Sequence, residues 1–191
     1  MEKIRVGFAL CGSFCMLRKT LEQLPRLTGS GFDIIPIMSE TAYNTDTRFG
    51  AAGEFRRILT ETTGKEIIRT VAQAEPIGPK KLLDLLIIAP CTGNTLGKLA
   101  GGITDTAVTM AAKAHLRNKR PLLIAVSTND ALSASAKNIG VLLNTKNVFF
   151  VPMKQDDPEN KETSLVADMS LLLPASLAAL EGRQLQPVLQ Q

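Results

Sequence analysis

The hydrophobic positions of this chain fall into short unbroken runs separated by longer stretches with helical spacing. The unbroken runs predict five strands, at residues 4–10, 32–38, 85–89, 121–126 and 148–151. A run that is apolar throughout is typical of a strand buried on both faces of a parallel sheet. The run from Leu85 to Ala89 is the most uniform core segment, and Pro90 is expected to end its ladder because proline has no N–H to donate.

Helical spacing separates these runs. It predicts helices at residues 17–25, 54–59, 65–71, 96–100, 105–114, 132–143 and 165–180, with a charged loop at 153–162. Strand and helix thus alternate about five times, which predicts a single-domain, Rossmann-like, doubly wound parallel sheet with helices on both faces. The simplest strand order is the flavodoxin-like one. We expect the domain to span residues 1–181 and residues 182–191 to form a tail.

Small polar residues stand where four of the predicted strands end. Because the carboxyl ends of parallel strands share one edge of the sheet, these residues are expected to converge on a ligand there. Glycine and hydroxyl groups at a helix N-terminus favour a phosphate. The candidate cofactor-binding residues are Gly12, Ser13, Ser39, Thr41, Thr92, Gly93, Asn94, Thr95, Ser127, Thr128 and Asn129. A plain strand–turn–helix crossover is the alternative interpretation.

Comparison with known nucleotide-binding motifs indicates which class of phosphate ligand the chain would bind. The stretch from Gly12 to Thr20 fails as a P-loop because Arg18 stands where the second glycine is required. No GxGxxG follows the first strand, which favours a mononucleotide over a dinucleotide. In the polar loop at 44–50, Arg48 is the candidate substrate-binding residue, either as a clamp for a carboxylate or simply as a solvated side chain.

Composition excludes several classes of function. The 191 residues are 45% hydrophobic and 21% charged, enough for one sizeable core, and the net charge of +4 is dispersed. Aromatic residues make up only 4%, which disfavours nucleic-acid binding. Cys11, Cys15 and Cys91 form neither a disulfide framework nor a zinc site, and we expect no metal. No apolar stretch is long enough for a bilayer and no signal peptide is recognisable, which predicts a cytoplasmic protein.

Two features of the predicted helix at 105–114 have competing interpretations. Asp105 is expected to cap it, and Ala107, Ala111 and Ala114 give it a face of small side chains. That face suits either internal packing or close approach of another protomer. His115, the only histidine, is expected to be an ordinary surface or helix-end residue.

The motif APCTGNTLGKLAGGITD, from Ala89 to Asp105, resembles the Pro-x-[ST]-[AG]-Asn-Thr stretch of the flavin-containing cysteine decarboxylase and flavin prenyltransferase superfamily. That resemblance implies a Rossmann-like fold, bound FMN and assembly as a homo-oligomer, a trimer or a dodecamer. Further motifs are similar to the family of dipicolinate synthase B subunits within that superfamily. They are TRFG at 47–50, AEPIGPK at 74–80, TGN at 92–94, AVSTNDAL at 125–132, TKN at 145–147, FVP at 150–152 and QLQPV at 184–188.

The narrower resemblance implies oxidation of a dihydrodipicolinate-type dicarboxylate to dipicolinate in the mother cell of a sporulating bacterium. It also implies a separate partner, the dipicolinate synthase A subunit, which is similar to NAD(P)-dependent oxidoreductases. Asn94 is expected to reach the isoalloxazine edge of FMN, and Ser13 and Ser39 its phosphate. Two alternatives stay open: a transferase like the flavin prenyltransferases, and a non-catalytic scaffold for the partner.

The chain departs from the decarboxylases at their catalytic positions. Pro76 stands opposite their histidine, and Val126 to Asn129 replaces their Pro-x-Met-Asn motif, keeping only the asparagine. Decarboxylation of cysteine is therefore disfavoured, and the sequence assigns no catalytic residue.

Overall fold

The computed structural model describes residues 3–190, so the first two residues of the predicted domain and Gln191 of the predicted tail lie outside it. The described residues form one sheet of seven strands. The strands are β1 (Ile4–Leu10), β2 (Phe32–Met38), β3 (Leu85–Cys91), β4 (Leu122–Thr128), β5 (Val148–Phe150), β6 (Met153–Lys154) and β7 (Leu165–Ala167).

The order of the strands is that of a doubly wound sheet. β1 pairs in parallel with β2 and β3, β3 with β4, and β4 with β5. This order, 2-1-3-4-5, confirms the predicted flavodoxin-like α/β fold. The sheet is mixed rather than purely parallel, because β7 pairs antiparallel with the end of β4 and β6 pairs antiparallel with β7.

Helices connect the strands and cover the sheet. They are α1 (Phe14–Leu21), α2 (Leu24–Gly29), α3 (Glu40–Asn44), α4 (Ala52–Thr63), α5 (Val71–Ala74), α6 (Gly93–Ala100), α7 (Ala107–Leu116), α8 (Ala136–Leu143) and α9 (Leu172–Leu180). Short 3₁₀ turns lie at Glu75–Ile77 and Met169–Leu171. All seven residues of β3 are buried, which requires cover on both faces of the sheet because side chains alternate along a strand. None of the described helices is long and apolar enough to cross a membrane.

The predicted helix at 65–71 is wrong. α4 ends at Thr63 and is capped by Gly64, whose φ of +66° suits a helix end, and the next residues run beside the edge strand β2. Ile68 accepts a hydrogen bond from Met38 N and donates one to Pro36 O. Helix resumes only at α5. The apolar residues at 65–71 have helical spacing, but hydrogen bonds to the free backbone groups of the edge strand β2 decide their conformation.

The predicted helix at 165–180 is also only partly right. Leu165–Ala167 is strand β7, and Asp168 then accepts a hydrogen bond from Ser170 N to start the turn before α9. The predicted loop at 153–162 likewise begins with β6. A strand of two residues, such as β6, is too short to show a periodic pattern in the sequence. It is defined only by its pairing with distant residues.

Pro90 does not end its strand, contrary to the prediction. β3 continues to Cys91, and the register between β3 and β4 shifts between Ile88 and Cys91. The carbonyl of Pro90 accepts a hydrogen bond from Cys11 N at 3.2 Å. The missing N–H is therefore accommodated by a local irregularity instead of a strand end.

Two predicted helix starts also differ. Thr106, not Asp105, caps α7, its hydroxyl accepting from Thr109 N. α8 begins at Ala136, because the carbonyl of Asp130 accepts from Ser133 N and Ser135 N and holds residues 130–135 in turns.

The small face of α7 is used inside the chain. Ala107, Ala111 and Ala114 are all buried, and α7 packs against α5 and the 3₁₀ turn that follows it. A Cβ placed on Gly78 would lie 3.0 Å from Ala114 O, which shows how closely that turn approaches α7. The face is thus occupied by internal packing.

The predicted tail contacts the sheet. The side chain of Gln184 pairs with the backbone N and O of Phe150 at 2.8 and 2.7 Å. Val188 O accepts from Met153 N, and Gln190 N donates to Met153 O. The division into domain and tail stays a prediction.

His115 lies at the end of α7 as expected, but it is fully buried rather than at the surface. Its Nε2 lies 2.8 Å from Pro121 O, so Nε2 carries the proton. Nδ1 is left without a hydrogen-bond partner among the described residues. Burial lowers the pKa of His115 from 6.5 to about 4, and the charge of nearby Arg120 acts in the same direction.

We therefore predict that His115 destabilises the fold in acid. A histidine whose pKa is lowered on folding contributes stability above its unfolded pKa of 6.5, and that stability is lost as the pH falls toward 4. The loss amounts to about 3 kcal/mol of unfolding free energy. His115→Gln retains an N–H for Pro121 O and does not titrate, so urea denaturation should show a shallower decline for the variant between pH 6.5 and 4. Parallel pH profiles for the two proteins would contradict the assignment.

Candidate functional site

The carboxyl ends of β1, β2 and β3 surround a cleft of about 420 Å³. It contains six of the predicted cofactor-binding residues, namely Gly12, Ser39, Thr41, Thr92, Asn94 and Thr95. The remaining lining residues, which the sequence analysis did not select, are Cys11, Glu40, Lys98, Asp105 and Thr106. We call this space the strand-end cleft.

Two further predicted residues meet beside it. The hydroxyls of Ser13 and Ser127 are 2.7 Å apart, which links the turn after β1 to the end of β4. Ser13 occupies the cap position of α1, yet its side chain makes no capping hydrogen bond. In the first turn of α1, Met16 N donates to Ser13 O, which leaves the N–H groups of Phe14 and Cys15 next to the two hydroxyls, an arrangement suited to an anion.

A chain of hydrogen bonds forms the floor of the strand-end cleft. Thr92 caps α6 by accepting from Thr95 N, and its hydroxyl donates to Thr95 Oγ1 at 3.1 Å. The Thr95 hydroxyl in turn donates to Cys11 Sγ at 3.4 Å. Because Thr95 bonds Cys11, which directly follows β1, the start of α6 is fixed relative to β1.

The thiols at this floor are neutral. Burial raises the pKa of Cys11 to about 11, although hydrogen bonds from Thr95 and Thr92 act against it. Burial also raises the pKa of Cys91 well above its ordinary value. Since the thiolate is the nucleophilic form, neither cysteine is suited to covalent catalysis at neutral pH.

Asp130 organises the turn after β4, and sequence analysis missed it. Its carboxylate accepts from Thr128 Oγ1 at 2.6 Å and from Ser135 Oγ at 3.0 Å. Gly93 packs directly against this network: a Cβ there would lie 2.6 to 2.8 Å from oxygen atoms of all three residues. The hydroxyl of Thr128 is therefore committed to Asp130. The signal in the sequence was an acid two residues beyond a hydroxyl at a strand end.

The other predicted residues lie further out. Asn129 is exposed, and its carbonyl accepts from Thr163 Oγ1 at 2.6 Å. Arg48 is exposed as well, with its guanidinium 4.9 Å from the Phe49 ring, and does not line the strand-end cleft. Ser39, by contrast, lines the strand-end cleft, and its hydroxyl accepts from Ala42 N and so caps α3.

Lys98 is the cation of the strand-end cleft. Its Nζ lies 2.8 and 2.9 Å from the two carboxylate oxygens of Asp105. This hydrogen bond is the main reason that the pKa of Asp105 is lowered. The pair balances its own charge, which leaves Glu40 as the acid of the lining without a cation partner among the described residues. Among residues 3–190, no group of three histidine, cysteine or acidic side chains is arranged to hold a metal ion.

Comparisons with known proteins give a consistent result. The model of the family described as Flavoprotein matches residues 1–173. The dipicolinate synthase B subunit of Bacillus subtilis (strain 168) is 44% identical over 185 residues, which cover 97% of this chain and 92% of that protein.

Solved structures agree with this relationship. The crystal structure of the dipicolinate synthase B subunit from Bacillus halodurans C has a TM-score of 0.91 and 43% identity, covering 100% of this chain and 99% of that one. The FMN-dependent cysteine decarboxylase SpaF has a TM-score of 0.70 at 21% identity, covering 94% and 97% of the two chains. The likeness to SpaF bears on the fold alone.

We predict that Gly93→Ala destabilises the protein by about 1–3 kcal/mol, because the added methyl group overlaps the Asp130 network. Gly140→Ala, in the middle of α8 with no neighbour near the new methyl, is the matched control. It should stabilise by about 0.5–1 kcal/mol. Thermal or urea unfolding measures both. Equal effects of the two substitutions would show that the Asp130 network does not require a glycine at position 93.

Proposed function

The chain belongs to the flavoprotein family, and we propose that it acts as the B subunit of a dipicolinate synthase with FMN in the strand-end cleft. It would take part in the oxidation of a dihydrodipicolinate-type dicarboxylate to dipicolinate. The observation that carries the proposal is 44% identity to a dipicolinate synthase B subunit over almost the whole chain. The strand-end cleft supports the choice of cofactor.

The donors at this edge fit a phosphate monoester. The Ser13 and Ser127 hydroxyls bond each other rather than a carboxylate, and the first turn of α1 adds backbone N–H groups. Hydrogen bonds from hydroxyl and backbone N–H groups to an ionised acceptor are the strong kind. The single glycine–serine turn suits one phosphate, as in FMN, better than a pyrophosphate.

The shape of the cleft fits the rest of the cofactor. A Cβ on Gly12 would come within 3.2 Å of the Thr41 methyl group, so glycine keeps the backbone of the two turns close. Asn94 is exposed at the start of α6, where its amide can contact the polar edge of an isoalloxazine ring. A cleft of about 420 Å³ lies within the usual range of ligand sites.

The reaction removes two hydrogens from the substrate ring, and FMN supplies an acceptor for the electron pair when it is bound. Because the thiols of Cys11 and Cys91 are neutral, we assign them no covalent step, and we assign the residues of the cleft the role of binding and orienting. The proposal includes, as partner, the A subunit of dipicolinate synthase. It also includes the mother cell of a sporulating bacterium as the place of action. Both the partner and the location are proposed from the similarity to dipicolinate synthase. The roles of the candidate cofactor-binding residues and of Arg48 remain part of the proposal.

We predict that the purified chain binds FMN and that Ser13→Ala and Asn94→Asp each weaken binding about tenfold or more. Ser30→Ala, whose hydroxyl bonds Arg26 O far from the cleft, is the control and should leave the affinity unchanged. Flavin fluorescence during titration gives the dissociation constants. No binding at tens of micromolar FMN, or equal affinities for all four proteins, would refute the assignment of the cleft.

Activity assays separate the remaining alternatives. With the A subunit present, dipicolinate formation should depend on FMN and fall in the Ser13→Ala and Asn94→Asp variants. Full activity without FMN would instead support a scaffold. Prenyl transfer to reduced FMN without dipicolinate formation would support a transferase.

We also predict a closed homo-oligomer, a trimer or a multiple of it, since soluble homo-oligomers adopt point-group symmetry. The small face of α7 is buried within the chain and is therefore not the contact between protomers. The proposal of an oligomer rests on similarity to the family. Light scattering after size exclusion should give three times the chain mass of 20.6 kDa, or a multiple of that trimer mass. A monomer whose mass does not change with FMN would contradict it.

A further inference from the structure

Two arginines lie around one tyrosine beside the strand-end cleft. The Cζ atoms of Arg56 and Arg69 are 4.6 and 4.9 Å from the centroid of the Tyr43 ring. These distances are within the range of cation–π attraction, which holds each guanidinium in place. Arg56 belongs to α4 and Arg69 to the segment beside β2, so two separate parts of the chain bring their charges to the same ring.

Neither charge is neutralised within the described part of the chain. Among residues 3–190, no salt bridge or side-chain hydrogen bond involves either guanidinium, whereas the neighbouring Arg57 pairs with Glu61 at 2.7 Å. The groove around the arginines holds one nearby acid, Glu66. Two like charges on one ring repel each other, and a bound anion would remove that cost.

Arg69 lines both the groove around the arginine pair and an outer cleft next to the strand-end cleft, whereas Arg56 lines the groove alone. An outer cleft of about 310 Å³ is lined by Tyr43, Arg69 and Thr70 and shares Glu40, Asp105 and Thr106 with the strand-end cleft. Asp105 is already paired with Lys98, which leaves Glu40 as the only acid of this wall without a cation partner among the described residues. A ligand seated over the strand-end cleft can therefore extend toward Arg69.

We propose that Arg56 and Arg69, held around Tyr43, bind a carboxylate of the substrate, an aromatic or near-aromatic ring dicarboxylate. This assignment rests on the proposed function, which supplies the dicarboxylate. The planar guanidinium matches a carboxylate with two parallel N–H···O bonds, and an arginine already oriented by an aromatic ring loses less conformational freedom on binding. Arg48 stacks on Phe49 outside both clefts, whereas Arg69 lines the outer cleft and shares the Tyr43 ring with Arg56, so the pair is better placed for this role.

The local structure supports a fixed position for Arg69. The side-chain oxygen of Gln73 accepts from the backbone N–H groups of both Arg69 and Thr70, at 3.0 and 3.2 Å. Thr70 caps α5 in return. The backbone at Arg69 is thus anchored although its side chain is exposed, and the tyrosine ring orients the guanidinium.

Calorimetric titration with dipicolinate tests the proposal, since the product carries both carboxylates and does not react further. Arg69→Gln and Arg56→Gln should each weaken binding by about tenfold or more. Tyr43→Leu should weaken it as well, whereas Tyr43→Phe, which keeps the ring, should bind like the wild type. Arg117→Gln, at the end of α7, removes the same charge elsewhere and should have no effect.

A second readout locates the bound ligand. Tyr43 is the only tyrosine of the chain, so protein labelled at tyrosine gives one set of ring signals in NMR. Dipicolinate should shift these signals, and picolinate, with one carboxylate, should bind more weakly. The preference for dipicolinate over picolinate should be lost in Arg69→Gln.

The outcomes distinguish this proposal from that for FMN. Unchanged dipicolinate affinity in Arg56→Gln and Arg69→Gln, or equal losses in Arg117→Gln, would overturn the arginine pair while FMN binding stands. FMN affinity that is unchanged in Arg69→Gln, together with weakened dipicolinate binding, supports it. Failure of the wild type to bind FMN refutes the cofactor alone, because the dipicolinate titration needs no flavin.

Discussion

The parallel pairing of β3 with β1 and β4 is the constraint on which the rest of this structure depends. β3 is buried along its whole length, and its backbone bonds hold β1 on one side and β4 on the other. Parallel pairing forces the turns after these strands to one edge, where otherwise distant residues meet. The contact between Ser13 and Ser127, 114 positions apart in the chain, exists only because of it.

The two edges of the sheet have opposite chemistry. At the amino edge, Arg5 and Arg120 both bond Asp84, and burial would raise the pKa of that carboxyl if the bonds and charges of the arginines did not hold it below its ordinary value. At the carboxyl edge, hydroxyls and helix N-termini predominate beside the Lys98–Asp105 pair. Charges that satisfy each other join strands together, whereas donors that remain free are available to a ligand.

The sequence predicted the features that depend on local pattern and missed those that depend on distant partners. The five parallel strands and their order followed from apolar runs and chain direction. Residues 65–71 were misjudged because the edge of β2, not their own spacing, decides their conformation. Strands β6 and β7 are too short to show a period.

The candidate site divides in the same way. Small polar residues at strand ends were recognisable in sequence, and six of them line one cleft. Asp130 was not, because its importance comes from Thr128, Ser135 and Gly93 closing around it. The arginines around Tyr43 were hidden as well, since their alignment on one ring requires α4 and the segment beside β2 to meet.

A crystal structure of the chain grown with FMN tests most directly whether the strand-end cleft is a flavin site. We predict the phosphate within hydrogen-bond distance of Ser13 and the first turn of α1, and the ring system in the cleft next to Asn94. Flavin bound elsewhere on the protein, or a cleft that stays free of flavin at saturating FMN, would contradict this placement.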